Sequence, residues 1–147
     1  MKISYKGDYA LKAILDLAQH YNSAINLEEI ARRQDIPLKF LEQIMLVLRR
    51  TGFVLSKRGP KGGYFLARPP KDIYIGEVVR AIDGPIAPIS CVADKSRTPC
   101  NFESCCALRD VFEEVKNKIS AVIDNISFAE LVKRTNKKTK KGMDFSI

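Results

Sequence analysis

Asp35-Ile36-Pro37-Leu38-Lys39-Phe40-Leu41-Glu42-Gln43-Ile44-Met45-Leu46-Val47-Leu48-Arg49-Arg50-Thr51-Gly52 is the stretch on which the fold turns. Asp35-Ile36-Pro37 makes a turn, and Pro37 suits the first position of a helix, where its missing N–H leaves no intrahelical bond unmade. Leu41, Ile44, Val47 and Leu48 recur at helical spacing and predict a buried stripe. Lys39, Glu42, Gln43 and Arg50 fall largely on the other side. Gly52 is a typical residue just past a helix C-terminus. Working backward, Asn26 can cap a shorter helix over Leu27–Gln34, with Glu28 and Glu29 in the first turn, where the helix dipole favours acids. Two short helices joined by a tight turn, the second with a polar outward face, form a helix-turn-helix pattern.

Working forward, Phe53–Ser56 and Tyr64–Ala67 read as two short strands around Lys57-Arg58-Gly59-Pro60-Lys61-Gly62-Gly63. The glycines permit a tight hairpin tip from which Lys57, Arg58 and Lys61 project. A basic hairpin directly after a recognition-like helix is a wing. Narrow minor grooves concentrate negative potential, which suits Arg58 to insert there. Periodicity also predicts a first helix from Asp8 to His20, a short helix over Ile75–Ile82 and a long one from Ala107 to Asn125. The long helix carries Leu108, Val111, Phe112, Val115, Ile119 and Val122 near heptad spacing, and such a stripe needs a partner, for which a second copy of the chain is the economical choice. Ser127 and Glu130 form a capping-box pattern for a last short helix, Phe128–Lys133. Beyond Arg134 the lysine-rich composition predicts disorder.

The chain has 147 residues and a net charge of +8, unevenly spread. Residues 1–68 hold twelve Lys/Arg against six Asp/Glu, residues 69–132 hold seven against ten, and 133–141 hold six cations and no acid. A basic half and a basic tail suggest a polyanionic partner, nucleic acid before anionic membrane. The opening residues lack an export segment and no apolar run is long enough for a membrane span, which predicts a cytoplasmic protein whose thiols stay reduced. All four cysteines lie within Cys91-x8-Cys100-x4-Cys105-Cys106. In a reducing compartment so tight a cluster predicts a ligand or redox site. Thiolates suit iron–sulfur clusters and zinc, and the absence of paired Cys-x2-Cys knuckles ranks zinc second and a Cys100–Cys105 disulfide third. An enzyme is excluded as a class, because no nucleophile–base pair is present and Gly59-Pro60-Lys61-Gly62-Gly63 lacks the phosphate-loop spacing.

Several motifs resemble the Rrf-type winged-helix transcription regulators. They are Lys2-Ile3-Ser4-Tyr5-Lys6-Gly7-Asp8-Tyr9-Ala10-Leu11, Phe40-Leu41-Glu42-Gln43, the wing Arg58-Gly59-Pro60-Lys61-Gly62-Gly63-Tyr64, Ile75-Gly76-Glu77-Val78-Val79-Arg80-Ala81-Ile82-Asp83 and Asn125-Ile126-Ser127-Phe128-Ala129-Glu130-Leu131-Val132. The resemblance implies a cytoplasmic homodimer crossed through its long helix on a pseudo-palindromic double-stranded operator. Glu42 and Gln43 would read bases beside Lys39, and Arg58 would enter the minor groove. The chemistry agrees, since Gln bonds adenine bidentately, Glu accepts from cytosine N4, and Arg50, Lys57 and Lys61 suit phosphate.

Three-cysteine members of that family bind an iron–sulfur cluster in this loop. By that resemblance Cys91, Cys100 and Cys106 are the ligands, with Cys105 the extra thiol and the alternative fourth ligand. The histidine that IscR-like members carry three residues after the last cysteine is Arg109 here, and the single histidine, His20, reads as a surface residue. NsrR-like members use an aspartate of the partner subunit's first helix, a position matched by Asp8, so a 4Fe-4S cluster is favoured over 2Fe-2S. The expected fold is mainly α with a small β-wing. It comprises a winged helix-turn-helix DNA-binding domain over 1–84, a cluster-binding loop over 85–106, a dimerisation and terminal helix over 107–133 and a basic disordered tail over 134–147. The expected function is transcription regulation by a cluster that senses redox, nitric oxide or iron status. The alternative is a repressor controlled by a partner protein, by thiol oxidation or by zinc.

Overall fold

The computed structural model describes residues 2–94 and 99–144. Its elements are α1 (Tyr5–Gln19), α2 (Leu27–Gln34), α3 (Leu38–Arg50), β1 (Val54–Lys57), β2 (Gly63–Leu66), α4 (Ile75–Asp83), α5 (Ala107–Ile123) and α6 (Phe128–Asp144), with 3-10 turns at Pro70–Asp72, Ser90–Val92 and Glu103–Cys105. The strands pair antiparallel in the register Val54–Leu66 to Lys57–Gly63.

Local chemistry sets most of these boundaries. Ser4 caps α1 by accepting from the Gly7 N–H at 3.0 Å, three residues earlier than the helix predicted from Asp8. Asn26 caps α2 through Glu29 N–H at 2.8 Å, and Asp35 closes it in a left-handed conformation. Pro37 stands as the residue before α3 rather than its first helical residue. Gly63 has φ +147°, and a Cβ there would lie 2.4 Å from the Ile25 carbonyl oxygen. That space admits a backbone bridge in which Ile25 and Tyr64 exchange bonds of 2.9 and 2.7 Å, seating the wing on the loop before α2.

The core is one cluster. Ala10, Ala13, Ile14 and Leu17 of α1 meet Ile30 of α2, Leu41, Met45 and Leu48 of α3, and Val54, Ile73, Val78 and Phe128. The buried stripe of α3 is Leu41, Ile44, Met45 and Leu48, not the predicted Leu41, Ile44, Val47 and Leu48. The expected stripe is displaced because α1 and α2 approach α3 from the Met45 side, leaving Val47 exposed at 37%. One acid is buried among the described residues: Asp16 lies inside this junction and is gripped by Arg33 and Gln34 of α2.

Two features mark the C-terminal part, the first as expected and the second a departure. α5 buries no residue in its own chain, and Leu108, Val111, Val115 and Val122 are exposed. α6 does not end near Lys133 but runs to Asp144, so the predicted disorder from 134 is replaced by helix through the last described residue. Phe128 is fully buried and Leu131 and Val132 pack on the core, so the helix is nucleated by tertiary contacts. Elongation from a formed nucleus is easy, and lysine is a good helix former. Arg134 pairs with Glu130 at 3.1 Å and Thr135 bonds the Leu131 carbonyl at 2.9 Å, continuing the first turns.

Candidate nucleic-acid interface and cysteine loop

Helix α3 and the β1–β2 hairpin carry the predicted contact residues. Lys39, Glu42, Gln43, Arg50, Lys57, Arg58 and Lys61 are all exposed. Among the described residues none of the seven makes an ion pair, so the charged ones stand available to an external partner. The hairpin tip is tightened by Gly62 N–H donating to Gly59 O at 2.9 Å. At its base Arg68 lies 5.5 Å from the Phe53 ring and bonds both the Asp72 carbonyl and Glu77. Arg49 reaches Ser56 at 3.4 Å, tying α3 to β1. The wing is thus tied both to α3 and to the loop before α2. Sequence reasoning passed over Arg49, Arg68 and the Asp16–Arg33 pair, which brace the elements that carry the predicted contact residues.

The cysteine loop lies elsewhere, along the N-terminal part of α5. Cys91 is half-buried in the Ser90–Val92 turn, where Val92 and Ala93 anchor the loop at 4% and 7% exposure. Cys100 and Cys105 are exposed, and Cys105 donates weakly to the Phe102 carbonyl at 3.5 Å. Cys106 is the residue before α5 and is half-buried. All four are free thiols. Lys116 of α5 bonds Asp94 at 2.8 Å and holds its carboxyl below the usual carboxylate range. Arg109 lies between Glu103 at 3.5 Å and Glu113 at 3.6 Å, joining the last turn of the loop to α5.

The predicted ligands are not gathered within one chain. Among the described residues no three His, Cys, Asp or Glu side chains converge on a metal position. Asp8 belongs to α1, half-exposed, and pairs with Lys12 at 2.7 Å, which raises the Lys12 pKa mainly through that hydrogen bond. His20, expected at the surface, is half-buried, and its Nδ1 donates to the Asp16 carbonyl at 2.8 Å. The donor chemistry does fit an iron–sulfur group. Several reduced, accessible thiols share one loop, and soft thiolates are the ligands such clusters take.

Loop and interface are physically joined. On α5, Asp124 receives Arg80 of α4 at 2.6 and 2.9 Å. The helices are so close there that a Cβ on Gly76 would sit 1.8 Å from an Asp124 oxygen. At the C-terminal end of α4, one turn beyond Arg80, Asp83 accepts from the Ser4 N–H at 2.9 Å and from the Ser4 hydroxyl, just before α1. α1 in turn packs on α3.

The family model described as "Rrf2: Iron-dependent Transcriptional regulator" matches residues 3–134. The chain belongs to the Rrf2 family. A putative rrf2-like HTH-type transcriptional regulator of Rhodobacter capsulatus is 42% identical over 141 residues, covering 91% of this chain and 94% of that protein. The HTH-type transcriptional regulator IscR of Vibrio atlanticus is 37% identical, covering 90% of this chain and 76% of its own length. Among solved structures, CymR, the global cysteine regulator of B. subtilis, superposes with a TM-score of 0.77 at 30% identity, covering 91% of this chain and 98% of that one. IscR of T. potens superposes at 0.74 with 36% identity, covering 92% and 88%. This Rrf2 protein is therefore a winged-helix transcriptional regulator and not an enzyme. No helix among its described residues is long and apolar enough to cross a membrane.

Proposed function

We propose that this Rrf2 protein is a cytoplasmic homodimeric regulator whose operator affinity is set by an iron–sulfur cluster. Cys91, Cys100 and Cys106 hold it, with Asp8 of the second copy as the oxygen ligand and Cys105 as the alternative. Bound there, a cluster supplies a centre that reacts with nitric oxide or oxygen and is lost when iron is scarce. The observation that carries the reading is the position of the thiols: Cys106 directly precedes α5, and α5 is joined through Arg80–Asp124 and Asp83–Ser4 to the helix beneath the recognition helix.

The chain's residues have separable tasks. Lys116 and Arg109 hold the loop to α5. The exposed Leu108, Val111, Val115 and Val122 stripe packs against the same stripe of a second copy. Gln43 and Glu42 read base edges, Lys39, Arg50, Lys57 and Lys61 hold phosphate, and Arg58 occupies the minor groove. A change in loop order alters the angle between the two recognition helices, and with it the fit to two half-sites. The lean is towards 4Fe-4S, from three cysteines plus Asp8.

Anaerobic purification, followed by iron, sulfide and absorption analysis, and operator titration before and after iron removal, test this. Equal affinity in both states would sink the sensor reading. A second reading is favoured by two observations: the exposure of Cys100 and Cys105, and the likeness at 30% identity and TM-score 0.70 to a CymR of Staphylococcus aureus solved in an oxidised form. Under it, thiol oxidation or a partner protein controls the repressor, and a colourless, metal-free protein with oxidant-sensitive DNA binding is the expected result.

A further inference from the structure

The helical continuation of α6 places six cations on one side of a rod. Lys133, Arg134, Lys137, Lys138, Lys140 and Lys141 are all exposed. At about 100° of rotation per residue they share an arc of roughly 160° and a length of about 12 Å. The half-buried Thr135 and the packed Leu131 and Val132 lie on the other side, towards the body of the protein. Only Arg134 has an acidic partner among the described residues, Glu130 at 3.1 Å. Lys133 with Lys137, Arg134 with Lys138 and Lys137 with Lys141 stand four apart, where like charges oppose the helix. A polyanion along the stripe removes that repulsion.

The stripe is rigidly mounted. Phe128 is fully buried, its N–H donates to the Ile73 carbonyl at 2.9 Å, and α6 packs on α1, which itself packs on α3. The cations therefore belong to the same body as the helix-turn-helix and are not carried on a flexible linker. We propose that this face of α6 is a second DNA contact, independent of sequence, made with the phosphate backbone of duplex DNA. An anionic membrane fits less well. Interfacial helices need an apolar face, and among the described residues beyond Val132 the opposite side offers Thr135, Asn136 and Thr139, with Met143 the one large apolar side chain. A regular line of phosphates matches a line of lysines, and counterion release makes such a contact salt-dependent.

The proposal rests on DNA binding by α3 and the wing, and the test separates the two. The full chain and a quadruple variant (Lys137→Gln, Lys138→Gln, Lys140→Gln, Lys141→Gln) are titrated on a random-sequence duplex across a salt series. Glutamine keeps nearly the same helix propensity, and circular dichroism and melting verify the fold. The plot of log affinity against log salt should flatten by about 0.9 per lysine in contact, up to about 3.6 for four. Binding at low salt should weaken at least about tenfold. Parallel salt slopes for the quadruple variant, with Arg58→Ala/Lys61→Ala still flattening the line, overturn the α6 contact alone. If neither variant changes the slope, the underlying DNA-binding surface is wrong as well. Unchanged DNA slopes with loss of binding to phosphatidylglycerol vesicles would overturn the proposal in favour of a membrane.

Discussion

Replacing Asp16 by alanine should unfold the junction between α1 and α2 more than any exposed substitution. The Asp16 side chain is 1% exposed and takes Arg33 Nε at 2.9 Å, Arg33 Nη2 at 2.7 Å and Gln34 Nε2 at 3.2 Å. Removing the carboxylate leaves the guanidinium with only Glu29, in a side chain that is 21% exposed. Breaking a buried pair by deleting one partner costs about 3–5 kcal/mol. Partial rehydration of Arg33 places this case at the lower end, about 3 kcal/mol, or a melting temperature lower by roughly 6–12 °C for a chain of this size. Asp16→Asn keeps an acceptor and loses the charge, so about half that loss is expected. The assay is urea unfolding monitored by circular dichroism, with the slope m held as a control on two-state behaviour. A loss below about 1 kcal/mol for the alanine variant, at unchanged m, would refute the reasoning. It would mean that Arg33 finds water or Glu29 as readily as Asp16.

The remaining expectations concern the wing, base reading and the α4–α5 tie. Gly63→Ala should destabilise by about 1–3 kcal/mol and weaken DNA binding, because φ is +147° and the new Cβ meets Ile25 backbone; a melting curve and a filter-binding titration check it. Gln43→Ala should cost about 1–3 kcal/mol on the preferred operator and relax preference at one base pair, whereas Arg58→Ala should weaken binding to all sequences and flatten the salt plot by about 1. Both are read by titration against a panel of single-substituted duplexes. Arg80→Ala should change stability by less than about 1 kcal/mol, since Arg80 and Asp124 side chains are 37% and 40% exposed, yet abolish any difference in operator affinity between cluster-loaded and cluster-free protein. Retention of the full difference would remove Arg80–Asp124 from the coupling route.

Much of this Rrf2 protein is readable residue by residue because the relevant forces are local. Asn26 predicts a cap and supplies one to Glu29. Ser127 does the same for Glu130, although Glu130 turns its side chain to Arg134 rather than completing the box. The glycine-rich tip and flanking strands give the wing within one residue of its predicted ends. The exposed polar face of α3, with Lys39, Glu42, Gln43 and Arg50, is legible from helical periodicity, since the face that is not apolar must look outward.

Other features depend on neighbours far away in the chain. Whether Val47 or Met45 completes the buried stripe is set by the direction from which α1 and α2 arrive, which no window of periodicity contains. Asp16 resembles any polar residue of an amphipathic helix until Arg33, 17 positions later, folds against it. The basic stretch after Arg134 has a disordered composition, but Phe128 docks in the core and gives it a helix to extend. The cysteine spacing singles out the thiols, whereas only the tertiary structure shows that among the described residues no three metal-ligating side chains converge within one chain. Sequence thus carried most of the elements, because caps, turns and periodicity act over a few residues, and its motifs carried the family. The packing geometry, the buried ion pair and the route from loop to recognition helix arose from contacts between segments up to 79 residues apart, which exist only once the chain has closed on itself.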